Sequence, residues 1–243
     1  MSRFQLESGF YHLDYDILSG RMELTNVDKN QLGVTYMQEG NWEEAAKAFN
    51  EAIEENPQDS VAYINFGNVL SAIGDDEKAL RFYQKAIEID ENAAAAYYSA
   101  GNIYFSTEHF DEAKDMFETA LQKGLQTSDN FFMLGLSLIQ LDQGKFALPF
   151  LQRSVELNET DPEARFQYGL CLAQLELIDE AIIQFEKCAQ LDEAHSDAFY
   201  NLGVAYGFKE NQQKAIEMFN KALEIQPDHV LAGYGKKLMG NEN

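Results

Sequence analysis

The sequence predicts an all-α solenoid made of six copies of one 34-residue unit, each unit an antiparallel pair of helices. Three regularities predict it. Glycine recurs every 34 residues, at Gly33, Gly67, Gly101, Gly135, Gly169 and Gly203. Twelve residues after each glycine stands an alanine: Ala45, Ala79, Ala113, Ala147, Ala181 and Ala215. Four residues further comes a large apolar side chain (Phe49, Tyr83, Phe117, Leu151, Phe185, Phe219), and three beyond that a small one (Ala52, Ala86, Ala120, Ser154, Cys188, Ala222). This spacing fits two amphipathic helices that meet at small residues, with glycine clearing the first helix where the second crosses it. The large residue and the small one after it then share one face of the second helix.

Taken in order, residues 1–25 form an N-terminal extension or cap. Tyr11, Tyr15 and Leu18 are spaced for one helical face, which Asp14 and Asp16 interrupt, and Met22 offers an alternative start. Two readings stand for this stretch: a loosely ordered cap, or a segment that folds into the protein's own groove. The repeats follow at 26–59, 60–93, 94–127, 128–161, 162–195 and 196–229. Gly40-Asn41 and Gly74-Asp75 suit the tight turn within a pair. Glu43-Glu44, Asp111-Glu112 and Asp179-Glu180 place acids in the first turn of the second helix, where the helix dipole favours them. Pro57 and Pro227 close their repeats, and Pro162 opens the next. Repeat four departs from the pattern. Gly144 replaces a large residue in its turn region, and Pro149 lies about a turn into its second helix, predicting a late start or a kink there. Residues 230–243 read as a C-terminal capping helix and tail, with Lys236 and Lys237 near the helix end and a solubility role.

The pattern resembles the tetratricopeptide repeat (TPR) family over residues 26–229, most clearly from Ser196 to Tyr206 with Ala215, Phe219, Ala222 and Pro227. The short array is similar to stand-alone bacterial cytosolic members. The resemblance implies a right-handed superhelical solenoid with six units and a capping helix. The early aromatic position of the family holds Lys29, Tyr63, Tyr97, Phe131, Arg165 and Phe199, so Lys29 and Arg165 predict weaker packing in repeats one and five.

Composition narrows the function classes. With 18 Lys+Arg against 41 Asp+Glu the net charge is -23, which argues against binding a phosphate backbone. Two Cys in 243 residues exclude a disulfide scaffold, and Cys171 and Cys188 read as free thiols of a cytoplasmic protein. No secretory signal and no membrane-length apolar run is present. No phosphate-binding loop, nucleophile elbow or zinc-protease motif occurs. His12, His109, His195 and His229 lack metal-ligand spacing; His195 and His229 share one repeat position and read as surface junction residues. The expectation is therefore a protein that is not an enzyme, with no cofactor and no metal.

The family resemblance implies that the first helix of each repeat lines a concave binding surface. Counting each repeat from Asn26, Ser60, Ala94, Ser128, Pro162 or Ser196, the candidate groove residues are as follows. The fifth position supplies Asn30, Tyr98, Phe132, Phe166 and Tyr200, and the sixth Asn65 and Asn201. The ninth supplies Asn68 and Asn102, the twelfth Phe105, and the thirteenth Gln140, Gln174 and Phe208. No groove position carries Lys or Arg, which excludes a clamp for a C-terminal carboxylate. Acids stand at the second position, as Asp129, Glu163 and Asp197. Aromatic rings with amides suit a peptide or protein segment with apolar anchors and some basic residues. The expected function is an interaction scaffold or adaptor; the alternatives are a self-associating structural solenoid or a regulatory subunit of a partner enzyme. Oligomeric state and partner identity stay open.

Overall fold

The computed structural model describes residues 28–240, and among them every regular element is helical. Six helix pairs run in order: α1 (Lys29–Gln38) with α2 (Trp42–Glu55), α3 (Ser60–Ala72) with α4 (Asp76–Ile89), and α5 (Ala94–Ser106) with α6 (Phe110–Gln122). Then come α7 (Ser128–Gln140) with α8 (Gly144–Leu157), α9 (Pro162–Gln174) with α10 (Ile178–Leu191), and α11 (Ser196–Phe208) with α12 (Gln212–Ile225). A thirteenth helix, α13 (Val230–Gly240), packs on α11 and α12. The N-terminal extension lies outside the described residues.

Side-chain caps start many of the helices. Asp59 Oδ1 accepts from the Val61 and Ala62 N–H groups, at 3.0 and 3.3 Å, and Asp161 Oδ1 accepts from Ala164 N–H at 3.0 Å. Pro162 occupies the first turn of α9, where its missing N–H costs nothing. The acid pairs at Glu43, Asp111 and Asp179 fall in the first turns of α2, α6 and α10.

Each pair closes where glycine faces the large residue of the second helix. A Cβ on Gly101 would stand 2.7 Å from the Phe117 ring, and one on Gly67 would stand 2.5 Å from Tyr83. Phe49, Phe117, Leu151 and Ala113 are wholly buried, so the periodic residues are the core itself.

The turns inside the pairs separate the repeats into two groups. Gly40 and Gly74 take φ of 74° and 83° in the first two, as the turn requires. In the other four the same left-handed position holds Glu108, Asp142, Glu176 and Glu210, with φ between 58° and 63°. A Cβ is strained there. Glu108→Gly, Glu176→Gly and Glu210→Gly are each expected to stabilise the protein by up to about 1 kcal/mol, with the gain in backbone freedom when unfolded offsetting part of the relief. The midpoint of urea unfolding measures this; an unchanged or lowered midpoint contradicts it.

Three sequence expectations are corrected. First, α8 begins at Gly144, in phase with the other second helices, so Pro149 does not delay it and Gly144 is helical rather than part of the turn. Pro149 removes one N–H, and the Lys145 carbonyl that loses it belongs to an exposed residue that water can serve. Second, Arg165 packs well, at 7% exposure. Its Nε and Nη2 donate to the Glu159 carbonyl at 3.0 and 2.8 Å, and Nη1 donates to Gln184 Oε1 at 3.2 Å. The planar guanidinium satisfies its donors while its stem fills the place of an aromatic ring. Lys29 is half-buried, with Nζ 2.6 Å from Glu51. Third, His195 and His229 are not surface junction residues; His229 is buried and His195 is largely covered.

Candidate functional site

Curvature follows from which helices touch. α1 contacts α3, α3 contacts α5, α5 contacts α7, α7 contacts α9, and α11 contacts α13. No comparable contact joins two successive second helices. The first helices therefore crowd on the inner side of a curve and the second helices splay on the outer side. On the outer side the splay opens a cleft of about 680 Å³ between α10 and α12, floored by Leu202 and Met218. None of the sequence-predicted groove residues lines it.

The fifth-position aromatics pack on the core. Tyr98 lies with its ring centroid 5.7 Å from Phe117, Phe166 lies 5.9 Å from Phe185, and Tyr200 lies 6.0 Å from Phe219. Phe166 is only 9% exposed, so it supports the surface more than it presents one. Phe132 packs against the Leu134–Leu151 cluster, and Phe105 stacks edge-on against Phe110 at 5.4 Å. Burial raises the pKa of Tyr98, which keeps its hydroxyl a hydrogen-bonding group.

The amides divide into committed and available groups. Asn30 is turned toward the α1–α3 junction, its Nδ2 donating to Asp59 Oδ2 at 2.5 Å. Asn68 Oδ1 accepts from Tyr83 Oη at 2.8 Å and Ser99 Oγ at 3.1 Å. With both lone pairs filled, Asn68 keeps its two N–H donors for a ligand. Asn201 Nδ2 donates to the Asp197 carbonyl at 2.8 Å, which leaves its oxygen to accept. Asn65 and Asn102 are half-buried, Gln140 and Gln174 are exposed, and Phe208 is 74% exposed.

The histidines join this surface, which sequence reasoning missed. His229 Nδ1 accepts from Ala232 N–H at 3.2 Å and so caps α13, while Nε2 donates to Asp197 Oδ1 at 3.0 Å. His195 repeats the arrangement one unit earlier: Nδ1 accepts from Ala198 N–H at 3.2 Å, and Nε2 lies 3.9 Å from Glu163. The His229 ring lies tilted against Tyr200 and the His195 ring tilted against Phe166, with centroids 5.1 and 4.5 Å apart. Each histidine thus caps a helix start and faces a first-helix carboxylate one repeat back. Cys188 and Glu163 raise the pKa of the His195 ring, and the ring in turn lowers that of Glu163. The Ala198 N–H opposes protonation, because a protonated Nδ1 has no lone pair to offer. The signal available in the sequence was the shared repeat position directly before a helix start. Cys171 and Cys188 are both free and buried. Among the described residues no group of three His, Cys, Asp or Glu side chains is placed to hold a metal ion. No described helix is long and apolar enough to cross a membrane.

Comparison with solved structures bears on the same architecture. The crystal structure of YrrB, described as a TPR protein with an unusual peptide-binding site, is 56% identical in sequence with a TM-score of 0.76, over 79% of this chain and 99% of that one. The chain belongs to the tetratricopeptide repeat family. Models described as tetratricopeptide repeat match residues 24–92, 94–122 and 196–229. A model described as anaphase-promoting complex, cyclosome, subunit 3 matches residues 109–188. The curated TPR repeat-containing protein YrrB of Bacillus subtilis (strain 168) is 57% identical over 39 residues, a stretch that spans 19% of its length and 16% of this chain. The crystal structure of MamA matches at 25% identity with a TM-score of 0.63, covering 66% of this chain and 94% of that one.

Proposed function

We propose that this TPR protein is a non-enzymatic cytoplasmic scaffold that binds a peptide or protein segment along its inner face. The observation that supports this reading most is the chemistry of that face. Its lining positions hold aromatics, amides and acids, with no Lys or Arg. Asn68 and Asn201 are oriented by internal bonds, one left with donors and the other with an acceptor. A peptide backbone needs both, and amides held in place cost less entropy on binding. The peptide-binding site ascribed to YrrB points the same way.

A paired capture experiment tests the proposal. One bait is the wild type and the other carries Asn65→Ala, Asn102→Ala, Gln140→Ala and Gln174→Ala. These four are chosen because none belongs to the buried clusters, unlike Phe166. The wild type is expected to retain specific proteins that the variant loses at an unchanged melting temperature. Identical protein sets from both baits would place binding elsewhere.

A further inference from the structure

The outer cleft between α10 and α12 has a counterpart two repeats earlier, between α6 and α8, and the two differ in what fills them. At the earlier junction Leu121, Leu134 and Phe150 pack in one apolar cluster, and the Phe150 ring stacks on Phe131 with centroids 6.5 Å apart. The 34-residue phase maps Leu121, Leu134, Phe150 and Phe131 onto Ala189, Leu202, Met218 and Phe199. Two of the four have shrunk: Ala189 stands for Leu121, and Met218 for Phe150. Every other repeat carries a larger aliphatic at the Ala189 position, as Ile53, Ile87, Leu121, Val155 and Leu223. What remains is an open volume of about 680 Å³, walled by Phe199, Met218 and Ile225 and reaching down to Ala189 and Leu202. Its walls lack the contacts that close packing gives their counterparts, and an apolar group from outside supplies them.

The same place has also shed its compensating charge. At the earlier junction Arg153 pairs with Glu156 at 3.1 Å. Their counterparts, Lys221 and Glu224, do not pair: Lys221 Nζ lies 3.5 Å from Glu217 and 5.7 Å from the centroid of the Phe199 ring. Glu193 stands at the rim where the earlier junction has Leu125. Glu186 adds a third carboxylate, which accepts from Tyr206 Oη at 2.7 Å. Both α10 and α12 end beside the cleft with no basic residue in the last turn, so their dipoles add to the negative field.

We infer that this outer cleft docks a partner protein through a segment that presents one leucine-sized aliphatic side chain flanked by Lys or Arg. The aliphatic group takes the volume that Leu121 and Phe150 fill two repeats earlier. The flanking cations meet Glu193 and Glu224, the two rim carboxylates that no Lys or Arg pairs among the described residues. Charge selects this occupant over a second copy of the chain, because two molecules of net charge -23 repel. The cleft shares no residue with the candidate inner-face positions, so this second surface stands or falls apart from the proposed function.

The test uses the full chain and two fluorescently labelled peptides. The leucine probe holds a single Leu between two pairs of Lys, with Gly and Ser outside them. The serine probe differs only in carrying Ser for that Leu, so it reports attraction to an acidic protein in general. The wild type is expected to bind the leucine probe about tenfold tighter, the worth of covering most of one aliphatic side chain. Ala189→Leu fills the cleft from within. It is expected to raise the melting temperature by about 2–4 °C and to erase the preference for Leu. Glu193→Gln with Glu224→Gln is expected to weaken both probes about threefold and to flatten their dependence on salt between about 0.05 and about 0.5 M, while the preference for Leu stays. Equal binding of the two probes by the wild type overturns the inference, as does a preference that survives Ala189→Leu. A lowered melting temperature for Ala189→Leu also overturns it, because the volume would then not admit an aliphatic group. So does a dimer in sedimentation that Ala189→Leu abolishes, since the occupant would be a second copy. The inner-face amide variant is expected to bind both probes as the wild type does; loss of the preference for Leu in that variant would move the contact to the inner face and overturn the inference.

Discussion

Phe117→Ala is expected to lower stability by about 3–5 kcal/mol, the range for deleting a buried ring. Phe117 is fully buried, with Leu134, Leu138, Ala147 and Leu151 in the same cluster and the Tyr98 ring against it. The cavity cannot collapse easily, because its other wall is the backbone at Gly101, where a Cβ would stand 2.7 Å from the ring. That geometry makes the companion variant informative. Gly101→Ala alone overpacks the same spot and is expected to cost about 1–3 kcal/mol. In the Phe117→Ala background the added methyl enters the cavity, so its cost should vanish or reverse. A double-mutant cycle followed by urea unfolding reads the coupling; simple additivity would mean that the close approach at Gly101 is not what the glycine serves. The loss should be felt most in α5 to α8, since repeats contact only their neighbours. Hydrogen exchange would then rise there before it rises in α11 to α13.

Arg165→Ala is expected to cost about 2–3 kcal/mol, through lost packing of its stem and three lost hydrogen bonds. Arg165→Phe should be far milder. Tyr63, Tyr97, Phe131 and Phe199 occupy the matching positions of other repeats, so the site is shaped for a ring. The Glu159 carbonyl that loses its partner belongs to an exposed residue, where water can replace the guanidinium. Thermal melts of both variants decide this. An equal loss for Ala and Phe would show that the hydrogen bonds, and not the filled volume, hold the junction of repeats four and five.

The helix pairs were legible because each rests on local rules that repeat. The caps, the tight turns and the glycine–aromatic contacts are set by residues within one 34-residue unit, and six copies make the phase unmistakable. The candidate groove could be read only so far as a first-helix face is a matter of spacing. Gln140, Gln174 and Phe208, which the phase assigns to that face, are exposed.

The misses share another cause. Of the late start or kink that Pro149 predicts, the late start fails because the rule against proline in helices is local, whereas the buried Ala147 and Leu151 hold α8 in phase with the other repeats. Arg165 and the two histidines looked superficial because charge and polarity predict exposure. Their partners lie elsewhere in the chain: Gln184 for Arg165, and Asp197, 32 residues back, for His229. Asn30 and Phe166 sit in groove phase, yet one is tied to Asp59 and the other is packed on Phe185. Periodicity alone specified the helices, their pairing and their faces, since those depend on backbone geometry and side-chain spacing within a unit. Which atoms of the candidate groove residues are spent on the protein and which stay open depended on tertiary contacts between helices, and these exist only once the helices have packed.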